Sequence, residues 1–374
     1  MMMPELPEDL LEEILCRVPA TSLKRLRCTC KLWNRLFKKK RFARKHFRKA
    51  PRQSLILMLK NLGFSSMSVN LHRVSPIEVT GELNLIDPHS SLNHFRHYQN
   101  CHSSDGLLLC VCVNNKEGGT RLVVWNPCTG QTKWIQHRKR GYIYTYALGS
   151  YQDNKSGNKS YKILSRRTYG YQDLEFEIYE INSNSWRILD VTVDCTYMHF
   201  GNVSLKGKTY WFATDEKEKQ LGLFLISFDY TTERFERLCL PYPHPYYGYK
   251  NESLSVVREE KLYVLLQRTF TSKTEIWVTN KIGETKLLSW IKVLAVDLTP
   301  EPKFDIKFLV DEEKKVLVYT QNNGYKSQSI VYIVGKDNKV REVDFGDEFK
   351  PFLLNYVPSL TQIQQVENSI QSLF

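Results

Sequence analysis

One segment format recurs through most of the chain: an apolar β-run, a polar turn rich in Asn, Asp, Thr, Ser or Gly, then a second run holding an aromatic or large aliphatic residue. It reads RLVVWNPCTGQTKWI from Arg121, FEIYEINSNSWRIL from Phe176, FLISFDYTTERFERL from Phe224 and TEIWVTNKIGETKLLSW from Thr274, with a weaker copy, SIVYIVGKDNKVREVDF, from Ser329. Each has the pattern of a β-hairpin. Trp125, Tyr179, Phe228, Trp277 and Tyr332 occupy equivalent places, at intervals of 54, 49, 49 and 55 residues. A further strand pair precedes the hairpins, as in VSLKGKTYWFA from Val203 and LSVVREEKLYVLLQ from Leu254. Four strands per repeat of about fifty residues make the blade of a β-propeller; a large β-sandwich would show strands without that period. Residues 55–71 are expected to supply a further blade and FLLNYVPSL, from Phe352, the strand that closes the ring, for about six blades.

The first fifty residues break from this pattern. LPEDLLEEILCRVP, Leu6 to Pro19, sets Leu10, Ile14 and Val18 at i, i+4 and i+8 with Leu11 and Leu15 beside them, an apolar stripe of helical period. Glu8, Asp9, Glu12 and Glu13 load the early turns, as the helix dipole favours. Pro7 suits a first turn and Pro19 ends the helix. Thr21 or Ser22 is expected to cap a second helix through Leu23 and Leu26, and a third follows across Leu32, Trp33, Leu36 and Phe37. Three short helices cannot hide the twelve large apolar residues between Leu6 and Phe37 among themselves. Each such side chain taken from water contributes about 1.5–3 kcal/mol. The surplus must be covered by the β-domain or by a second protein.

Composition narrows the classes. The chain has 374 residues, 42% apolar and 25% charged, as in ordinary globular proteins. Its longest apolar run, LLLCVCV from Leu107, suits a buried strand and falls far short of the roughly 18 residues that span a bilayer. The acidic N-terminus is unlike a secretory signal, so a cytoplasmic or nuclear location is expected. The nine cysteines are then expected to be reduced thiols; Cys28-Thr-Cys30 and Cys110-Val-Cys112 lack the spacing and histidines of a zinc site. Of the net charge of +13, residues 1–50 hold +9, from fourteen Lys and Arg against five Asp and Glu. Eight of the twelve residues in KKKRFARKHFRK, from Lys38, are basic. That run reads as a solvated helix face, with an acidic protein partner, a nuclear import signal or nucleic acid as other readings. Phe37, Phe42 and Phe47, five apart, make no stacking platform, and nucleic acid is not the expected partner.

No catalytic constellation emerges. Gly207-Lys208-Thr209 looks like the end of a phosphate loop, but five residues separate Gly201 from Gly207 where the motif needs four, and Lys208 leads into a strand. A hairpin turn explains it. Glu259-Glu260 and Asp311-Glu312-Glu313 read as solvated turns, and no G-x-S-x-G or H-E-x-x-H occurs. No cofactor and no metal is expected.

Leu6-Pro7-Glu8-Asp9-Leu10, Ile14-Leu15, Arg17-Val18-Pro19, Leu23-Lys24-Arg25-Leu26-Arg27 and Cys30-Lys31-Leu32-Trp33 together resemble an F-box, over roughly residues 4–45. The rest resembles the propeller-like, F-box-associated domain of the large plant family that includes S-locus F-box proteins. It does so through Ser104-Asp105-Gly106-Leu107-Leu108, Trp125-Asn126-Pro127-Cys128-Thr129-Gly130, Lys208-Thr209-Tyr210-Trp211 and Phe228-Asp229. The single glycine doublet, Gly118-Gly119, leaves the signature of true kelch repeats missing. The resemblance implies an all-α F-box at 1–48, a β-propeller-like substrate-binding domain at 49–360 and a tail at 361–374. It implies a non-catalytic receptor subunit of a Skp–cullin–F-box ubiquitin ligase, with a Skp-type adaptor, a cullin, a RING subunit and a protein substrate as partners. The adaptor contacts it carries over are Leu6, Pro7, Leu10, Ile14, Leu15, Val18, Pro19, Leu23, Cys30 and Trp33, so a charge at Leu15 is expected to abolish docking. Cys28 departs from the larger aliphatic of many relatives. Substrate capture is expected in loops rich in Tyr and Arg, at Arg138, Arg140, Tyr142, Arg166, Arg167, Tyr246 and Tyr247, which would suit an acidic or phosphorylated peptide. The other readings are a propeller enzyme, which would need convergent Asp, Glu or His at the channel mouth, and a scaffold that uses the F-box without feeding a ligase.

Overall fold

The computed structural model describes residues 6–363 except 52, 54, 61–62, 70–76, 86–97, 115–118, 138–142, 154–156, 170–172, 219–221, 242–248, 258–259, 270, 272, 281–287, 299–305, 321–329 and 347–348. Four helices come first: α1 (Glu8–Leu15), α2 (Ala20–Leu26), α3 (Lys31–Phe37) and α4 (Lys40–Lys49). The basic run is thus itself a helix, the fourth where three were expected. Pro7 and Pro19 stand at the N-caps of α1 and α2, and neither start has a side-chain cap. The expected cap by Thr21 or Ser22 is not made, because Pro19 starts α2 before them.

Twenty-four strands follow in six antiparallel four-stranded sheets. Blade 1 joins β1 (Leu55–Lys60), β2 (Gly63–Val69) and β3 (Ile77–Asn84) to the last strand, β24 (Phe349–Tyr356). Blade 2 is β4 (Tyr98–Ser104), β5 (Leu107–Asn114), β6 (Gly119–Trp125) and β7 (Thr132–His137); blade 3 is β8 (Ile143–Gln152), β9 (Lys159–Tyr169), β10 (Asp173–Glu180) and β11 (Ser185–Leu189). Blade 4 is β12 (Tyr197–Leu205), β13 (Lys208–Thr214), β14 (Leu223–Asp229) and β15 (Arg234–Leu238). Blade 5 is β16 (Tyr249–Val257), β17 (Lys261–Arg268), β18 (Lys273–Thr279) and β19 (Trp290–Asp297). Blade 6 is β20 (Lys307–Asp311), β21 (Val316–Thr320), β22 (Ile330–Val334) and β23 (Val340–Asp344). The inner strands β4, β8, β12, β16, β20 and β24 touch in sequence around a central channel. The expected closing strand does close the ring, with Leu55 opposite Tyr356 and Met58 opposite Leu353.

Packing between blades explains the apolar runs. Strand residues alternate between two sheet faces, and here both faces are buried. Leu107, Leu109 and Val111 enter the core between blades 2 and 3, while Leu108 and Cys110 enter the one between blades 1 and 2. Six such cores, one per junction, bind the ring. The periodic aromatics Trp125, Tyr179, Phe228, Trp277 and Tyr332 each lie on the third strand of a blade, in the core shared with the preceding blade. Their period is the period of that junction.

Turn chemistry fits. Lys206 (φ 49°) and Gly207 (φ 77°) make a two-residue turn between β12 and β13, so Gly207-Lys208-Thr209 is a hairpin, as expected. In blades 2, 4 and 6 the turns from first to second strand and from third to fourth emerge on one face of the ring, and the helices pack against such a turn in blade 2. Residues 361–363 continue the packed body, since Ile363 is buried between blades 2 and 3.

Gly149, on β8, lies so close to the buried ring of Tyr230 that an added Cβ would overlap it. Gly149→Ala is expected to destabilise the fold by roughly 1–3 kcal/mol through overpacking. Urea unfolding should show Gly149→Ala/Tyr230→Leu costing less than the sum of the single changes; simple additivity would refute the clash.

Candidate functional site

The apolar stripe of α1 divides in two. Leu15 and Cys16 turn inward, joining Ala20, Leu23, Leu36, Phe37, Phe42 and Ala43 in one buried cluster against which Leu11, Val18, Leu26 and Trp33 are partly packed. Leu6, Leu10 and Ile14 turn outward and are 57%, 54% and 53% exposed, with Leu32 of α3 at 47%. Pro7 is exposed; Pro19 and Cys30 are half-buried. Two of the ten expected contacts therefore need correction. Leu15 and Leu23 are sealed within the module and support its shape from beneath, because the propeller closes over that side. A charge at Leu15 would break the core before it tested any docking.

The third side of α1 is ionic and holds it to α4. Lys45 reaches Glu12 (3.1 Å) and Glu13 (2.9 Å), Lys49 reaches Glu13 (2.5 Å) and Lys39 reaches Glu8 (3.0 Å). Hydrogen bonds from Lys49 and Lys45 hold the Glu13 carboxyl down at about 2. Part of the basic run is thus engaged within the module. His46, on the inner side of α4, places its Nε2 2.8 Å from the Val18 carbonyl oxygen.

The module is welded to blade 2. The turn Asn126-Pro127-Cys128-Thr129 leads from β6 toward β7, and Cys128 and Leu360 complete the helical core. Lys24 donates to the Pro127 carbonyl (3.1 Å), Arg27 to that of Thr129 (3.3 Å), and Arg44 to Asn158 Oδ1 (3.2 Å). Asn126, fully buried, organises this junction. Its Oδ1 accepts from the backbone N–H groups of Cys128 (2.8 Å) and Thr129 (3.2 Å), and its Nδ2 donates to the carbonyls of Ser359 (3.1 Å) and Thr361 (2.6 Å). The sequence presents Asn126-Pro127-Cys128 as a turn, and two of its four partners, Ser359 and Thr361, lie more than two hundred residues away.

Of the expected substrate contacts, Arg138, Arg140, Tyr142, Tyr246 and Tyr247 lie outside the described residues. Arg166 needs correction, for it is only 1% exposed. It donates to Thr145 Oγ1 (3.1 Å) and to the carbonyls of Met198 (2.9 Å) and His199 (3.0 Å), and burial pulls its guanidinium down to about 10. Alternation along β9 sends Arg166 into the blade and leaves the half-buried Arg167 to pair with Glu175 across the strands. The inner strands enclose a cavity of about 550 Å³.

A family model described as the F-box domain matches residues 3–45, and one described as the F-box associated beta propeller domain matches residues 55–363. The chain belongs to this family. A chain of Arabidopsis thaliana with an F-box name, At3g25460, is 71% identical over 368 residues, covering 98% of this chain and 99% of its own length. The Arabidopsis thaliana F-box/kelch-repeat protein At3g44120 is 47% identical over 383 residues, 97% of each. Among solved structures, an oligogalacturonate lyase in complex with manganese overlays with a TM-score of 0.40 and 9% identity over 77% of each chain, too loosely to carry a residue across. The F-box here is the four-helix module, and the F-box-associated domain is the six-bladed ring.

Asn126→Ala would strand two buried N–H groups and two carbonyls. At about 1–3 kcal/mol for each unmatched buried group, a loss of at least about 3 kcal/mol is expected in denaturant unfolding, with faster protease cleavage between α4 and β1. An unchanged midpoint would remove Asn126 from the junction.

Burial lowers the His46 pKa below its ordinary 6.5. The unfolded chain therefore binds more protons below pH 6.5, and F-box stability falls as pH drops through that value. Glu13 stays ionised over this window, so His46 accounts for the change there. Protection factors of the amides in α1 and α4, corrected for the intrinsic exchange rate at each pH, are expected to fall from pH 7 to pH 5; a flat profile would contradict a neutral buried imidazole.

Proposed function

We propose that the chain is the substrate-recognition subunit of a Skp–cullin–F-box ubiquitin ligase, its F-box docking a Skp-type adaptor and its propeller capturing the protein to be marked. The observation that carries this reading is the outward stripe of Leu6, Leu10, Ile14 and Leu32, large aliphatics left uncovered on a module whose other sides are packed or ion-paired. In this reading the exposed Pro7 and the half-buried Val18, Pro19, Cys30 and Trp33 extend the docking face, and the buried Leu15 and Leu23 support it from within. The propeller then acts by proximity, holding a target near a ubiquitin thioester formed elsewhere in the assembly, and proximity alone supplies several kcal/mol of barrier reduction. The weld through Asn126, Cys128 and Leu360 supports this role, since it fixes the docking stripe relative to the ring. A cytoplasmic or nuclear setting suits such an assembly.

Ile14→Asp and Leu10→Asp probe docking without touching the core. Removing one large aliphatic from an interface and burying a carboxylate there costs more than about 2 kcal/mol, so capture of a recombinant Skp-type adaptor should fall by more than about tenfold. Circular dichroism should stay unchanged. Equal capture by wild type and both variants would sink the reading.

A further inference from the structure

We propose that the Skp-type adaptor meets the F-box through a strip of carboxylates as well as an apolar groove, the carboxylates lying along Lys31, Arg35 and Lys38 of α3. This rests on the ligase reading and adds to it the chemistry of the partner's surface. Helical spacing makes the strip. Lys31 and Arg35 stand at i and i+4 of α3 and Lys38 caps it at i+7, so the three exposed side chains share one arc, about 60° wide at 3.6 residues per turn. Leu32, 47% exposed, is the next position round the helix, between that arc and the buried Leu36 and Phe37. At the end of the strip Lys39 reaches Glu8 (3.0 Å), the first residue of α1. The cations therefore run up to the helix that bears Leu6, Leu10 and Ile14.

Charge is handled differently on the two borders of this face. On the border between α1 and α4, Glu8, Glu12 and Glu13 each hold a lysine. On α3, the side chains of Lys31, Arg35 and Lys38 meet no carboxylate and no hydrogen-bond acceptor among the described residues. Like charges at i and i+4 repel each other. Lys31 also stands in a first turn that holds no acidic residue, where a cation opposes the helix dipole. The free chain gains no contact from this arrangement, whereas carboxylates on a partner would turn all three positions favourable.

Leu32 selects the class of partner. A nucleic-acid backbone would answer the cations but leave Leu32 and the stripe on α1 in water. A wholly apolar groove would cover the aliphatics and leave the cations poorly solvated at its edge. A protein surface with an apolar groove and carboxylates along one side meets both. Because the α3 border is positive and the α1–α4 border is ion-paired, the charges also fix which way round the adaptor lies, and their long reach speeds its encounter with the F-box.

The test measures association and dissociation rates of the full-length protein with a recombinant Skp-type adaptor, from about 50 mM to about 500 mM salt. Wild-type association is expected to slow about tenfold or more over that range. Lys31→Glu/Arg35→Glu should slow it about tenfold at low salt and flatten its salt dependence, with dissociation less affected and the melting temperature held. The neutral Lys31→Gln/Arg35→Gln should fall between. Lys40→Glu/Arg48→Glu makes the same change in net charge on the line of α4 that Arg44 turns toward Asn158 of blade 3, and should stay within about threefold of wild type. Equal slowing by the two charge reversals would reduce the effect to net charge and overturn the proposal. So would wild-type rates that ignore salt, or normal association of Lys31→Glu/Arg35→Glu. A random-sequence DNA duplex bound by wild type and lost by that variant, with adaptor kinetics unchanged, would assign the strip to nucleic acid instead. Those failures leave the ligase reading standing while Leu10→Asp and Ile14→Asp lose capture. A wild type that binds no adaptor, or normal capture by those two variants, overturns the ligase reading itself.

Discussion

The pairing of β24 with β1 is the constraint on which the molecule depends. It joins residues roughly 300 positions apart, and closing so long a loop costs on the order of 5 kcal/mol beyond a constant. A short ladder, at about 1 kcal/mol net per hydrogen bond, barely offsets that. The balance tips because Leu353 enters the core between blades 6 and 1, and Tyr356 the one between blades 1 and 2. The same segment then runs on to seat the helices. Ser359 and Thr361 present carbonyls to Asn126, Leu360 fills the helical cluster, and Ile363 fills the junction of blades 2 and 3. Ring closure and attachment of the F-box are thus consequences of one stretch, residues 349–363.

That coupling explains why the F-box exposes some of its apolar surface and hides the rest. A free helical module of this size would leave Leu15, Leu23 and Phe37 poorly covered. Cys128 and Leu360 cover them from one side. Lys39, Lys45 and Lys49 occupy Glu8, Glu12 and Glu13 on another. Leu6, Leu10 and Ile14 of α1, with Leu32 of α3, are the large aliphatics of the module left exposed among the described residues. Exposure there follows from how the other sides of α1 are satisfied, and that sets the stripe apart more clearly than its composition does.

Much of the fold was legible because propeller packing writes itself into local sequence. The second and third strands of a blade are buried on both faces, so they read as unbroken apolar runs, and each blade repeats the same junction, so Trp125, Tyr179, Phe228, Trp277 and Tyr332 recur at a nearly fixed spacing. The Lys206-Gly207 turn was legible because its chemistry lies in two adjacent residues. The site was legible only in part. Helical periodicity brings Leu10, Leu11, Ile14 and Leu15 to one broad stripe, but which edge faces inward is decided by Cys128 and Leu360, remote in sequence. Arg166 was misplaced for a related reason. Its neighbours in the chain suggest an exposed basic loop, whereas strand alternation and the carbonyls of a bulge some thirty residues later draw it inside. Asn126 gave a signal, the motif around it, without any hint of Ser359 and Thr361.

A buried arginine that spends its donors on backbone carbonyls is a costly way to hold a strand unless the shape it holds is used. Removing a guanidinium from water is unfavourable, and neutral carbonyls return less than a carboxylate would. A regular β12 would need no such prop: pairing would continue from Met198 to Asn202, and Phe200 would find a place on one sheet face. With the bulge in β12, the Phe200 ring is held half-exposed in the channel wall. Arg166 therefore shapes the channel wall through the backbone carbonyls it holds. The helices and the channel wall are thus parts of one packed body, held together by residues 349–363.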